Sequence, residues 1–231
     1  MIRTIVGAGL ALAFSGAVAL AADADGLVAQ YHFDEGKGTA VADSSPFKNV
    51  GEAKGGVAWA QGVSGTALSF NGADAYVEVP ATASLDLKNG TIEAWVFARV
   101  PSGGICFAPT GAWEDERFVC AFGFRDPPRM MVTVADGKAF AAQEGGALPL
   151  KQWCHVAATC DGTNIVYYLN GAVVLSGAQT VTPVTKGIPL TIGKDCGLAP
   201  DFFDGLIDEV SVYNRALTAA EVAQHAKKYA K

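Results

Sequence analysis

The strongest constraint in this chain is an alternation of apolar and polar residues with a period of two, broken at short intervals by turn dipeptides. Leu27, Ala29, Tyr31 and Phe33 share one parity, as do Leu68 and Phe70, Val77 and Val79, and Ile92, Ala94 and Val96. Successive side chains of a strand point to opposite faces, so each run presents one apolar face. Asn71-Gly72, Asn89-Gly90, Asp136-Gly137, Asp161-Gly162 and Asn170-Gly171 separate the runs, and these pairs tolerate the positive φ of tight hairpins. Ile165 to Leu169 and Ala172 to Ser176 flank Asn170-Gly171 directly, which predicts a two-residue type I′ hairpin with Leu169 opposite Ala172 and Tyr167 opposite Val174. The stretch from Phe118 to Ser176 reads as a meander, and Pro46 to Gly65, rich in glycine, as irregular.

So many short strands without intervening helices cannot lie in one sheet without leaving an apolar face wet. The sequence therefore predicts an all-β fold, a two-sheet antiparallel sandwich. The one helix signal is terminal. Thr218 and Glu221 form a T-x-x-E capping box ahead of Val222, Ala223 and Ala226, and Lys227 and Lys228 suit the negative end of the helix dipole. This short C-terminal helix is expected to pack on the sandwich edge.

The first residues have a different character. Arg3 precedes an apolar run from Ile5 to Ala22, and Ala19-Leu20-Ala21 supplies a small-x-small cleavage site. Residues 1–21 read as a signal peptide, with Ala22 or Ala24 as alternative cut points and an uncleaved anchor as the competing reading. Residues 22–231 read as a single domain, secreted, periplasmic or held at the cell surface, with no membrane span after signal removal. Five cysteines without zinc-like spacing agree with an oxidising compartment. Cys154 and Cys160 lie in one strand and cannot reach each other. Cys106 with Cys120, across a hairpin, and Cys160 with Cys196, both at strand ends, are the pairings that fit; the alternative is that all five stay reduced. With 17 Lys plus Arg against 23 Asp plus Glu, the chain has no basic footprint, so nucleic acid is not an expected partner.

Five strings resemble a known family: LVAQYHFDEGKGTAVADSS (27 to 45), GTALSFNG with YVEVP (65 to 72 and 76 to 80), SLDLKNGTIEAWV (84 to 96), WCHVAATCDGTNIVYYLNG (153 to 171) and FDGLIDEVSVYNRALTAAEV (203 to 222). In this order they resemble the laminin-G-like jelly-roll domain of the concanavalin A-like lectin/glucanase superfamily. The likeness departs from the pattern at Cys154 and Cys160 and between residues 104 and 130. It implies a jelly roll used for carbohydrate or protein binding, sometimes with a structural calcium ion.

The superfamily includes glycosidases, which need paired carboxylates. The E-x-D-x-x-E strand that would supply them is missing. Glu114-Asp115-Glu116 reads as a solvated loop, and Glu93 as a structural partner of a neighbouring strand. There is no G-x-S-x-G elbow, H-E-x-x-H helix or phosphate loop, and His32, His155 and His225 are scattered along the chain. No catalytic residue is assigned, and whether the chain is an enzyme stays open, with a glycoside hydrolase or lyase as the alternative function. For calcium, Asp34, Asp43 and Asp208 are the candidate oxygen ligands, because the resemblance implies that the first and last strands, which carry Asp34 and Asp208, are neighbours, with Asp43 coming from the following loop. The competing reading has each acid capping a turn. For a glycan, Trp113 is the tryptophan least explained by a core, with Glu114, Asp115 and Arg117 beside it for hydrogen bonds. Phe202 and Phe203 form a weaker aromatic pair, whereas Trp95 and Trp153 read as core. The expected function is secreted, non-catalytic binding of a glycan or glycosylated surface, or of another extracellular protein.

Overall fold

The computed structural model describes residues 25–107, 115–124, 129–194 and 202–230. They form two antiparallel eight-stranded sheets and one terminal helix. The first sheet runs β14 (Ala172–Ala178), β13 (Asn164–Leu169), β12 (Trp153–Cys160), β7 (Gly90–Ala98), β16 (Asp204–Tyr213), β5 (Thr66–Asn71) and β4 (Ala58–Gln61), and β1 (Leu27–Tyr31) also pairs with β16. The second runs β11 (Phe140–Gly145), β10 (Arg129–Ala135), β9 (Arg117–Phe124), β8 (Gly104–Phe107), β15 (Leu190–Ile192), β6 (Tyr76–Val79), β3 (Gly51–Lys54) and β2 (Ala40–Val41).

The inward parity of both sheets makes one core. Tyr31, Phe70, Val77, Ile92, Ala94, Val96, Phe107, Phe118 and Val156 are all buried in it. This is the sandwich that period two demands, with strands alternating between core and outer face.

Three local expectations are refined. The Asn170-Gly171 turn is type I′, with φ of 49° and 80°, and Leu169 faces Ala172 as expected. A bulge then intervenes between Tyr167 and Tyr168, so Tyr167 faces Leu175 rather than Val174. The stretch from 118 to 176 is two meanders rather than one: β9 to β11 belong to the second sheet, and β12 to β14 to the first. The Pro46 to Gly65 region is not irregular throughout, since it contributes β3 and β4.

The terminal helix α1 (Ala219–Lys227) has the capping box that its sequence specifies: Thr218 accepts from the Glu221 amide, and the Glu221 carboxylate accepts from the Thr218 amide. Arg215 grips the same carboxylate with two nitrogens, at 3.1 and 2.7 Å, and that pairing holds the Glu221 carboxyl down at about 2. The helix does not sit on the sandwich edge. Its Val222 joins Leu217, Tyr213, Tyr168 and Ala157 in a small apolar cluster on the outer face of the first sheet, separate from the main core. That face is therefore roofed, and the roof creates the site described next.

Candidate functional site

On the outward parity, β7 carries Thr91, Glu93, Trp95 and Phe97, and β12 carries Trp153, His155 and Ala157, with His155 directly opposite Trp95. Beside them β16 contributes Ser211 and Tyr213, and β1 contributes Gln30, with His32 just beyond its end. Between the core residues Ile207 and Val210, β16 holds two residues instead of one, because a bulge interrupts its pairing with β7. The extra residue lets Glu209, at φ 51°, turn toward the outer face. The end of α1 closes over these side chains with His225, Lys228 and Tyr229.

Two adjoining cavities result. The polar one, of about 260 Å³, is lined by all three histidines of the chain, by Glu93 and Glu209, and by Gln30, Ser211, Tyr213 and Lys228. The aromatic one, of about 510 Å³, is lined by Trp95, Trp153 and Tyr229, with Asn170, Lys227, Val63 and two alanines of the helix. Trp95 and Tyr229 belong to both. Trp95 meets His155 and Tyr229 edge to face, and Trp153 meets Phe97 in the same way.

Glu93 organises the polar cavity. It is 5% exposed, and its Oε1 meets His225 Nδ1 at 2.8 Å and the Tyr213 hydroxyl at 3.3 Å. Its Oε2 lies 3.4 Å from His155 Nε2, a contact that falls short of hydrogen-bond geometry. Burial by itself would push the Glu93 carboxyl up, but the two imidazoles outweigh burial and hold it down at about 2. Glu209 pairs with His32 across 2.9 Å, and this bond raises the His32 pKa. His32 Nε2 in turn meets the Ser44 hydroxyl at 3.1 Å.

The residues singled out from sequence fall elsewhere. Trp113, Glu114 and Cys196 lie outside the described residues. Asp115 uses its carbonyl to accept from Arg117 Nε, and Arg117, expected to reach a ligand from a surface loop, is 1% exposed at the start of β9. Its side chain belongs to the folded interior.

The three aspartates each have backbone partners in the structure. Asp43 accepts from the amides of Gln30, Ser45 and Asn49 and from the Ser45 hydroxyl, so both its oxygens are used in closing a turn. Asp34 accepts from the Thr66 amide. Asp208, fully buried, accepts from the amides of Val63, Ser64 and Glu209; burial pushes its pKa up to about 7 against the lowering effect of these bonds. The pairing of the first and last strands is as expected, and it brings Asp34 and Asp208 to the same 62–66 loop. Among the described residues no three His, Cys, Asp or Glu side chains group around a point that could hold a metal ion.

The disulfide from Cys106 to Cys120 is also absent. Cys106 stands opposite Val119 and Cys120 opposite Ile105, so the two sulfurs project to opposite faces of the second sheet. Cys106 Sγ meets Thr191 Oγ1 at 3.0 Å on the outer side, while Cys120 lies in the core, where burial pushes its thiol up to about 12. Cys160 is likewise a buried thiol, also raised to about 12 by burial, rather than half of a bridge.

Sequence reasoning passed over the residues that do converge. The histidines are far apart in the chain, but each has outward parity or sits on the helix that covers the outer face. Two signals were available. A strand whose solvent parity reads Glu93, Trp95, Phe97 is too aromatic for an uncovered face. The Asp208-Glu209 pair also breaks the alternation between Ile207 and Val210, which marks a bulge. Trp95 is buried as expected, though under the helix rather than between the sheets.

Comparison with known proteins completes the picture. A laminin G family model, described as concanavalin A-like lectin/glucanases superfamily, matches residues 71–223. Domain 4 of AbnA, an extracellular GH43 arabinanase from Geobacillus stearothermophilus solved with arabinotriose, superposes with a TM-score of 0.69 at 21% identity, covering 87% of this chain and 98% of that domain. The binding domain of Paraclostridial Mosquitocidal Protein 1 gives 0.69 at 16% identity, and that of Botulinum Neurotoxin DC in complex with SialylT gives 0.65 at 10%. Each covers 90% of this chain, which spans 53% and 52% of them respectively. No curated protein sequence matches the chain. No helix among the described residues is long and apolar enough to cross a membrane.

Proposed function

The chain belongs to the concanavalin A-like lectin/glucanases superfamily, and on that premise we propose that it is an exported, non-catalytic domain that binds a glycan in the roofed groove on the outer face of its first sheet. The observation that carries this reading is the junction of the two cavities. An aromatic-lined chamber adjoins a chamber of fixed hydrogen-bonding groups, which is how a protein holds a sugar ring by its apolar face and reads its hydroxyls. The arabinanase domain solved with arabinotriose and the toxin domain solved with SialylT support a glycan as the partner class. Export follows from the signal-like residues 1–21.

Two carboxylates, Glu93 and Glu209, line one cavity, and this favours a glycosidase as the second reading. Glycoside hydrolysis needs one carboxyl that keeps its proton near neutral pH, with its pKa raised. Glu93 is driven the other way, to about 2. Glu209 is hydrogen-bonded to an imidazole.

The test is a glycan array with residues 22–231, in calcium and in chelator, followed by recovery of the bound oligosaccharide. Binding in both conditions with the glycan recovered intact is the expected result. A shortened glycan would establish the glycosidase reading instead, and no binding at all would turn the search to a protein partner. Loss in chelator would support the calcium expectation.

A further inference from the structure

We propose that the end of α1 is a pH-operated lid, latched to the first sheet by the ion pair between His225 and Glu93: it is closed while His225 is protonated and loosens when His225 loses its proton. The lid goes beyond the binding reading, because it is a property of the helix and holds whether or not a glycan enters the groove.

The helix is fastened differently at its two ends. At its start, Val222 packs with Leu217, Tyr213, Tyr168 and Ala157, and Arg215 and Thr218 both hold the Glu221 carboxylate. That carboxyl is held at about 2 by Arg215, so the start of the helix keeps its charges across the middle of the pH range. The far end has open space under it instead of packed side chains. His225, Lys228 and Tyr229 line the cavity of about 260 Å³, and Ala226, Lys227, Tyr229 and Ala230 line the one of about 510 Å³. What crosses to the sheet there is the bond from His225 Nδ1 to Glu93 Oε1, at 2.8 Å, together with an edge-to-face contact of Tyr229 on Trp95.

One half of this latch has a fixed charge and the other does not. Glu93, held at about 2, is ionised at any pH the folded protein ordinarily meets. Imidazole is the side chain whose ordinary pKa, about 6.5, falls inside that range. A charge-assisted hydrogen bond is about twice as strong as a neutral one, so a neutral His225 keeps its bond and loses much of its hold. The latch is therefore fully made on the acid side of the imidazole titration and weakens as pH rises through it.

The groups around His225 come from every neighbouring element. β7 brings Glu93, and β12 brings His155, which approaches the same carboxylate. β16 brings Tyr213, whose ring stacks on His225 with centroids 6.1 Å apart and whose hydroxyl meets Glu93, and it brings Glu209, bonded to His32 beyond the end of β1. The helix end itself carries Lys227, Lys228 and Tyr229. The two carboxylates attract a charged His225, and Lys228 and a charged His155 repel it. When His225 is neutral, the attraction that draws this end of the helix to Glu93 is gone, while the apolar cluster at Val222 is untouched.

The experiment is amide hydrogen exchange of residues 22–231 without ligand, at about pH 5.5 and about pH 8.5, on either side of the ordinary imidazole pKa. Each rate is divided by the intrinsic rate of an unfolded peptide at that pH. Protection of amides 224–228 is expected to fall about tenfold from the lower to the higher pH, the step between a charged and a neutral hydrogen bond, while β7 and β12 are unchanged. His225→Gln keeps a donor but does not titrate, so its protection should be the same at both pH values and close to the wild-type level at the higher one. His155→Gln should keep the wild-type step. Protection independent of pH in the wild type, or a step that survives His225→Gln, would overturn the lid. A step abolished by His155→Gln and kept by His225→Gln would overturn it as well, and if His155→Gln does not fold, the wild type and His225→Gln decide. None of these outcomes depends on whether a glycan binds.

Discussion

The two buried layers of this molecule are held together by different physics. Between the sheets, burial is apolar: Phe70 and Phe203 meet edge to face, their centroids 6.1 Å apart, among valines, isoleucines and alanines of matching parity. Under the terminal helix, burial is mixed: beside the apolar cluster around Val222, a carboxylate, two imidazoles and a phenol are drawn together. The first layer depends on area and packing and is indifferent to pH. The second depends on charge, on partners and on a nine-residue helix staying docked. A fold that needs only to be stable gains little from a buried ion pair, which apolar residues often replace without loss. The outer layer is thus the part of the molecule that stability alone does not explain.

Substitutions can break this contrast. Phe70→Ala leaves a cavity in the core and costs about 3–5 kcal/mol by denaturant unfolding, with the same loss at pH 4 and pH 7. Glu93→Ala removes the carboxylate that faces the buried His155 and the half-buried His225 and costs about 3–5 kcal/mol at neutral pH. Here the loss depends on pH. The folded-state pKa of Glu93, about 2, lies below its ordinary 4.5, so the stability it contributes is complete above pH 4.5 and drains away as pH falls toward 2. The gap between wild type and Glu93→Ala is predicted to close over that window, and a constant gap would contradict the ionic account.

Smaller changes sharpen the role of the helix. Gly171 has a φ of 80°, and a Cβ there would stand 2.9 Å from the Ala223 backbone on α1. Gly171→Val is expected to cost about 1–2 kcal/mol from the left-handed backbone alone, and more through helix displacement. Its melting temperature should fall further than that of a valine at an equally twisted turn remote from the helix. Thr218→Ala removes one half of the capping box and costs about 1 kcal/mol, read as faster amide exchange in 219–227 with the sheets unchanged.

The contrast also explains how much the sequence disclosed. The inner layer was legible because period two maps directly onto one face, and the turn dipeptides mark where strands end. The helix was legible from Thr218 and Glu221, which declare its start locally. The outer layer was not, because His32, Glu93, His155, Glu209 and His225 come from four strand regions and a helix whose adjacency is decided by sheet order. The role of the three aspartates was not legible for a related reason: Asp43 accepts from amides of its own turn and from Gln30, a local arrangement that spacing does not distinguish from metal ligation. The Cys106 and Cys120 pairing failed by one residue of register, which moves a side chain to the opposite face.

The most direct test of the account is hydrogen–deuterium exchange of residues 22–231 with and without the glycan that binds best. Slowed exchange in the segments containing Glu93 and Trp95, Trp153 and His155, and the end of α1 is the predicted result. Slowed exchange confined to residues 104–130, around Trp113, with the terminal helix unaffected, would contradict it and move the site to the loop.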